Sequence, residues 1–382
     1  MSEAVIAGVA QTPYERHPPP GTTTHALLGR AIAAALADAG VAAADVDGLA
    51  VASFSLAPDH AIDLAWRLGL RLRWLLEDTN GGASGLDMLA AAASALRAGD
   101  ASTILLVAGD AQDATAVAAR QAAFNRATRD HLAPIGYGGP NSLFAMLTLR
   151  QMAATGLARE DYGRLVIAQR AWAAANPEAV YRAPLTLEDY LAAPPVAEPL
   201  GRYDCVPGVA GANAVLVRAA ARPRAGSVVV RATARSFNHD QQEGDGLRTG
   251  LAGIAAGLWE RAGAGPPDLD LACLYDDYPA VVLAQLVDAG IAPADDLPAY
   301  VRDVLGPRRF PVNTSGGLLS CGQAGAAGGL HGLVEAVRQL RRAAGERQVR
   351  RARLALVSGY GMVVYRYGAA SAAAVLERSG RA

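Results

Sequence analysis

Residues 81–109 read GGASGLDMLAAAASALRAGDASTILLVAG, and they decide the fold class. A glycine turn leads into an alanine-rich helix, expected over 85–96 and ending before Gly99. An almost wholly apolar strand follows, expected over 103–109. A strand with no polar alternation has to be covered on both faces, as happens inside a layered α/β protein. Working outward, Val5 to Val9 is a short apolar strand ending before the Thr12-Pro13 turn signal. A helix runs through Leu27, Leu28, Ile32 and Leu36, capped from Thr22 to Thr24 and stopped near Gly40. Asp47 to Ala52 is the next strand. Strand, helix, strand, helix, strand is the grammar of an α/β layer.

From Asp110 to about Pro207 the pattern loosens, with Pro140, Pro177, Pro184, Pro194, Pro195 and Pro199 between short helices, of which 161–173 is the clearest. An insertion of this length, about 111–206, is expected to form a lid or a substrate-facing layer. Residues 208–217 return to strand character. Arg222 to Gly226 is the linker candidate, dividing an N-terminal half, 1–221, from a C-terminal half, 227–382. The grammar then repeats. Strands are expected at 227–232, 269–274 and 354–357, with helices at 246–262, from Pro279 and at 324–341, and a last strand pair at 362–365 and 372–376. Two βα-rich halves point to an internal duplication.

Composition narrows the function classes. A chain of 382 residues exceeds one simple core. The net charge of −1 leaves no electrostatic footprint for nucleic acid or an anionic membrane. No apolar run approaches the ~20 residues of a membrane span, and the N-terminus reads as a first strand rather than a signal peptide. The three cysteines, Cys205, Cys273 and Cys321, have neither metal-ligand nor disulfide spacing. No metal and a cytoplasmic location are the expectation. All 35 basic residues other than histidine are arginine. Without lysine, no Schiff base to substrate or to pyridoxal phosphate can form on a side-chain amine.

Three segments carry a family resemblance. VIAGVAQTPYER, ALADAGVAAADVDGL and GGASGL resemble the N-terminal half of the thiolase superfamily. AQRAWAAANPEAVYRAPLTLEDYLAAPPVAEPLGRYDC resembles the lid of its sterol-carrier-protein type. NTSGGLLSCGQAGAAGGLHGLVEAVRQLR resembles its C-terminal glycine-rich loop and helix. The resemblance covers nearly the whole chain in order. It implies a five-layered α-β-α-β-α thiolase fold with two pseudo-symmetric halves, and a homodimer. The apolar strand 103–107 is expected near the subunit contact.

The thiolase catalytic residues are missing at the matching positions. Where the family has a nucleophilic cysteine in Cys-x-Ser-Gly, this chain has Gly82, followed by Ser84 and Gly85. Ser84 reads as a first-turn helix residue, since the family has serine there too. Where the family has the histidine of Gly-His-Pro, this chain has Gln323, which can hydrogen-bond a thioester but cannot act as a base. Where it has a second cysteine, this chain has Ser358. Where it has Asn-Glu-Ala-Phe, this chain has Tyr275-Asp276-Asp277-Tyr278. Cys321 reads either as a relocated nucleophile or as a small apolar filler, and free cysteines are most often simply buried. Asn313, Gly316 and Gly317 read as shaping the loop for close approach to a thioester.

CLYDDYPAVVLAQLVDAG resembles the lipid-transfer-protein type of aldolase within this superfamily, lyases that shorten acyl chains on coenzyme A. The resemblance implies retro-aldol cleavage of a bulky β-hydroxyacyl-CoA. Tyr275 would serve as base, by a depressed pKa or by coupling to Asp276, with Gln323 beside it. That group has a second tyrosine where this chain has Gln323; Tyr360 is the nearest substitute. No cofactor is bound covalently on this reading, and coenzyme A enters as part of the substrate. Two rival readings remain: an acyltransferase with a non-standard site, and a non-catalytic acyl-CoA or lipid-binding subunit. The resemblance also implies a partner, a small OB-fold zinc-ribbon protein or an acyl-CoA hydratase.

Overall fold

The computed structural model describes residues 3–122, 125–136 and 139–380. The N-terminal half builds β1 (Glu3–Gln11), α1 (Thr24–Ala39), β2 (Gly48–Ala52), α2 (Ala61–Arg67), β3 (Trp74–Asp78), α3 (Ser84–Ala98) and β4 (Thr103–Asp110). The hydroxyl of Thr23 accepts from the Ala26 N–H to cap α1, and Gly40 and Gly99 end α1 and α3 in the left-handed conformation. The insertion carries α4 (Ala114–Ala122), α5 (Pro140–Thr155), α6 (Arg159–Ala173), α7 (Leu187–Leu191) and a small hairpin of β5 (Pro195–Ala197) and β6 (Leu200–Gly201). β7 (Gly211–Ala220) closes the half. β8 (Val228–Phe237), α8 (Leu251–Ala262), β9 (Leu271–Cys273), α9 (Pro279–Asp288), α10 (Leu297–Tyr300), α11 (Gly317–Cys321), α12 (Gly328–Leu340), β10 (Leu354–Val363) and β11 (Gly368–Arg378) follow.

The duplication is plain in the topology. In the first half β2 runs parallel to β4, and β7 lies antiparallel between β4 and β1. In the second half β9 runs parallel to β10, and β11 lies antiparallel between β10 and β8. The ladders join where Val5 and Ile6 of β1 pair with Val229 and Val228 of β8, so the hydrogen bonding is continuous over nine strands, in the order β3-β2-β4-β7-β1-β8-β11-β10-β9. α3 and α12 touch strands of both halves and form the middle layer. Ile104 and Leu106 of β4 face them, together with Val357 and Ala355 of β10. Leu105 and Val107, on the opposite face of β4, pack with Leu28 and Ile32 of α1. This period-two division is why β4 reads as apolar throughout, and each such side chain contributes roughly 1.5–3 kcal/mol by burial. α8 covers the outer face of the second half. The layers are therefore α-β-α-β-α, as the thiolase resemblance implied.

Two expectations change. β4 lies between β2 and β7 and is covered on both faces by this same chain. Its apolar character therefore needs no subunit contact. And 354–357 and 362–365 are not two strands: β10 runs unbroken through Leu354–Val363. The glycines between them look like a turn but serve close packing. A Cβ at Gly359 would lie 2.8 Å from the Gly82 carbonyl oxygen, and one at Gly361 would lie 2.5 Å from the Gly82 nitrogen.

The middle layer depends on a similar contact. A Cβ at Gly85, in the first turn of α3, would lie 2.0 Å from the carbonyl oxygen of Gly329 in α12. Gly85→Ala is expected to destabilise the protein by roughly 1–3 kcal/mol, because neither backbone can yield. Gly29→Ala, in α1 with its nearest neighbouring atom at 4.0 Å, is expected to be neutral or stabilising. Urea denaturation of both variants checks the contrast.

Candidate active site

The segment that leaves β9 places its side chains alternately on opposite sides. Tyr275 and Asp277 line a cavity of about 270 Å³, and Asp276 does not. The Tyr275 hydroxyl donates to Asp277 Oδ2 at 2.9 Å. Gln323 Nε2 donates to the Tyr275 oxygen at 2.7 Å and to both Asp277 oxygens, at 2.8 and 2.9 Å. Gln323 is held by its own backbone, whose N–H donates to Pro207 O and whose carbonyl accepts from the Val209 N–H. These three side chains are the polar floor of the cavity. Gly82, Phe54, Phe144, Tyr278, Val281 and Met362 supply much of the remaining wall.

Burial sets the electrostatics. It pushes the Asp277 carboxyl up to about 7, with the hydrogen bonds from Tyr275 and Gln323 pulling the other way. It pushes the Tyr275 hydroxyl well above its ordinary value, and the neighbouring Asp277 charge adds to this. The expected depression of Tyr275 is therefore reversed. At neutral pH the phenol keeps its proton, and Asp277 is the group with the titration of a general base.

Asp276, expected to couple to Tyr275, faces the interior. Its carboxylate accepts from the backbone N–H of Leu318 and Leu319 and from Gln169 Nε2, at 2.8, 3.4 and 2.6 Å. It therefore caps the start of α11, with burial pushing it up to about 8. The loop closes tightly over it. Gly317 has φ +64°, and a Cβ there would lie 1.9 Å from Asp276 Oδ2. Gly316 and Asn313 belong to this same turn, where Asn313 Oδ1 accepts from the Leu274 N–H at 2.7 Å. None of Asn313, Gly316 and Gly317 lines the cavity. They position the loop that ends in Gln323.

Other candidates also lie off the cavity. Cys321 is fully buried, its thiol donating to Ser315 O and accepting from Asn176 Nδ2, and burial pushes it up. It packs with Tyr14, Val209 and Ala324 as filler. Ser84 is fully buried at the start of α3. Ser358 sits behind Tyr275, donating to Gln285 Oε1 at 2.7 Å and accepting the Tyr275 N–H at 3.4 Å. Tyr360 does line the cavity with its ring. Its hydroxyl, however, accepts from the Gly368 N–H at 2.7 Å and so does not replace the second tyrosine.

Gly82 takes its place in the site through what it lacks. A Cβ there would lie 2.1 Å from Cζ of Tyr275 and 2.4 Å from the carbonyl oxygen of Tyr360. The tyrosine ring occupies the space into which a side chain at position 82 would project. The insertion adds the far wall through residues, Asn141 and Phe144 among them, that the sequence did not single out. Phe144 stacks on Tyr278 at 4.3 Å, and the Tyr278 hydroxyl donates to Asn141 Oδ1 at 2.7 Å. Gly82→Ala is expected to displace Tyr275, with a cost of roughly 1–3 kcal/mol in stability. Near-ultraviolet circular dichroism and urea denaturation check this.

Comparison with known proteins agrees with this architecture. The family model for the thiolase C-terminal domain-like family matches residues 232–378. The chain is 31% identical to the 17-hydroxy-3-oxo-4-pregnene-20-carboxyl-CoA lyase of Mycobacterium tuberculosis, over 89% of this chain and 92% of the relative. It is 30% identical to a steroid side-chain-cleaving aldolase of Thermomonospora curvata, over 88% and 90%. Among solved structures, the Ltp2-ChsH2(DUF35) aldolase superposes with a TM-score of 0.82 at 26% identity, covering 98% of each chain.

Proposed function

The chain belongs to the thiolase superfamily, in the group that holds the steroid side-chain-cleaving aldolases, and from that premise we propose that it cleaves a bulky β-hydroxyacyl-CoA by a retro-aldol reaction. The observation that carries the reading is the Tyr275–Asp277–Gln323 cluster, set where a thiolase would place its nucleophile. The β-hydroxyl of the substrate hands its proton to the Tyr275 oxygen as Tyr275 passes its own to Asp277. The bond between the α and β carbons breaks, leaving a ketone or aldehyde. The bond electrons pass to the thioester as an enolate, and the proton held by Asp277 returns through Tyr275 to its α carbon, giving the shorter acyl-CoA and restoring the carboxylate. No enzyme–substrate bond is needed. Gln323 fixes both partners of the relay, and the aromatic wall of Phe54, Phe144 and Tyr278 suits a large apolar leaving fragment. Coenzyme A enters only as part of the substrate. The acyltransferase reading through Cys321 loses its basis, because that thiol is buried off the cavity.

A homodimer and a second polypeptide complete the proposal. The solved aldolase is named with a ChsH2(DUF35) component, and a component of that type, or a hydratase, is the partner proposed here. Ile135, Met146 and Leu149 expose apolar surface (79, 58 and 50%) that suits such a contact. No helix of the described residues is long and apolar enough to cross a membrane, and a cytoplasmic setting fits the cysteine usage.

Tyr275→Phe is expected to lower cleavage of a tertiary β-hydroxyacyl-CoA by about 100-fold or more, while Cys321→Ala stays near wild type. Both are read by chromatography of the ketone and acyl-CoA products. The base must be ionised, so kcat/KM should rise with pH through about 7 and then level, following Asp277. Asp277→Asn should flatten that rise and lower the rate.

A further inference from the structure

The only charged side chain on α5 is that of Arg150. A helix standing at a surface normally turns a charged and polar face outward. α5 instead exposes Met146 and Leu149. Its two sides meet two different cavities. Asn141 and Phe144 line the catalytic cavity. Leu143, Met146, Leu147 and Arg150 recur at the spacing of a single helical face and line a second cavity of about 260 Å³, close to the catalytic one in size. The end of β10 and the turn after it divide in the same way. Met362 and Val363 line the catalytic cavity, and Tyr365, Arg366 and Tyr367 line the second.

Arg150 and Arg366 are the two cations of this second cavity, and each is held in place. Arg150 Nη1 donates to Asp245 O at 2.5 Å, and Arg366 Nη1 donates to Gln242 O at 2.6 Å. The side-chain oxygen of Gln242 accepts from the Arg366 and Tyr367 N–H groups at 2.8 and 3.1 Å. The Arg366 guanidinium lies 5.8 Å from the centre of the Tyr367 ring, and the Tyr367 hydroxyl donates to Asp240 Oδ2 at 2.6 Å. Among the described residues neither guanidinium forms an ion pair, although Arg159, Arg338 and Arg347 each pair with a carboxylate. Asp245 also lines the cavity, and its carboxylate accepts from the Leu247 N–H of its own turn at 2.8 Å. The cavity thus sets two cations against one carboxylate, over a floor of aliphatic side chains. A concave, mostly apolar surface with a few convergent polar groups is the pattern of a small-molecule site. The excess positive charge and the apolar floor together select a molecule with an apolar body and one anionic head, for which guanidinium forks are well matched to a carboxylate.

We propose that this second cavity binds a small apolar carboxylate, its chain packed on Leu143, Met146 and Leu147 and its head between Arg150 and Arg366. The site goes beyond the lyase reading and does not rest on it. Of the exposed apolar residues assigned above to the partner contact, only Met146 lines the cavity. A ligand there covers the side of α5 that the catalytic cavity does not use, while Asn141 and Phe144 keep their place on the other side.

The test is binding, with no turnover involved. Isothermal titration calorimetry of the full chain with octanoate, and separately with 1-octanol, is run on wild type, on the Arg150→Ala/Arg366→Ala double variant and on Arg150→Glu. Arg150 is exposed, so its charge reversal keeps the test open if loss of Arg366 disturbs the turn, and thermal unfolding checks that each variant is folded. The expected result is one octanoate per chain, bound about tenfold or more tightly than 1-octanol, with that preference lost in the double variant and in Arg150→Glu. Equal binding of octanoate and 1-octanol by wild type overturns the carboxylate as the head of the ligand. Octanoate binding that is unchanged in both variants puts the acid elsewhere and overturns the site, as does no binding of either probe to wild type. Self-association of wild type that Arg150→Glu abolishes, seen by light scattering without octanoate binding, would give the face to a second copy and overturn the ligand site.

Discussion

The contact on which the site depends is backbone against backbone and ring around the turn at residues 81–85. Gly82 has the Tyr275 ring where its Cβ would be, and Gly85 meets Gly329 of α12. Gly359 and Gly361 of β10 close on the same turn from the other half. In a packed interior such distances leave no room for relaxation. This turn therefore joins the two halves, begins the middle-layer helix α3 and seats the tyrosine. It also makes two chemistries exclusive. A thiol at position 82 and a phenol at position 275 would occupy one volume, so losing the nucleophile and gaining the tyrosine are one structural change.

Two neighbouring carboxylates show how facing decides task. Asp276 and Asp277 are both raised by burial. Asp276 spends its oxygens on the start of α11 and on Gln169, fixing the loop that carries Gln323. Asp277 faces the cavity and meets Tyr275 and Gln323 there. A carboxyl poised near neutrality beside a protonated phenol is suited to proton transfer. The thermodynamic burden of Asp276 supports it indirectly, through the position of Gln323.

Much of the fold was legible because it rests on local rules. The β4 run, the α3 helix and the glycine stops at Gly40 and Gly99 were each readable from their own residues. β10 was not, because glycines at Gly359 and Gly361 look like a turn unless the facing 81–85 segment is known. β3, an edge strand of the same five-residue length as β2, was not either, because its WLLED sequence is only partly buried and ends in two carboxylates, where β2 is apolar and buried throughout. In the site, Tyr275, Gln323 and Gly82 could be located from motif order. The choice between Asp276 and Asp277 depends on which side of the chain faces the cavity, and no neighbouring residue encodes that. Phe144 and Asn141 lie in the lid, far from Tyr278 in sequence, and no pattern joins them.

The central claim is carbon–carbon cleavage without a covalent intermediate. Its most direct test is turnover of a tertiary β-hydroxyacyl-CoA in deuterium oxide, with the products and the intact protein followed by mass spectrometry. The account predicts ketone and shortened acyl-CoA in equal amounts, one deuterium at the α carbon of the acyl product, and a protein mass unchanged throughout. An acyl adduct on the protein during turnover, or no cleavage in the presence of the proposed partner chain, would contradict it.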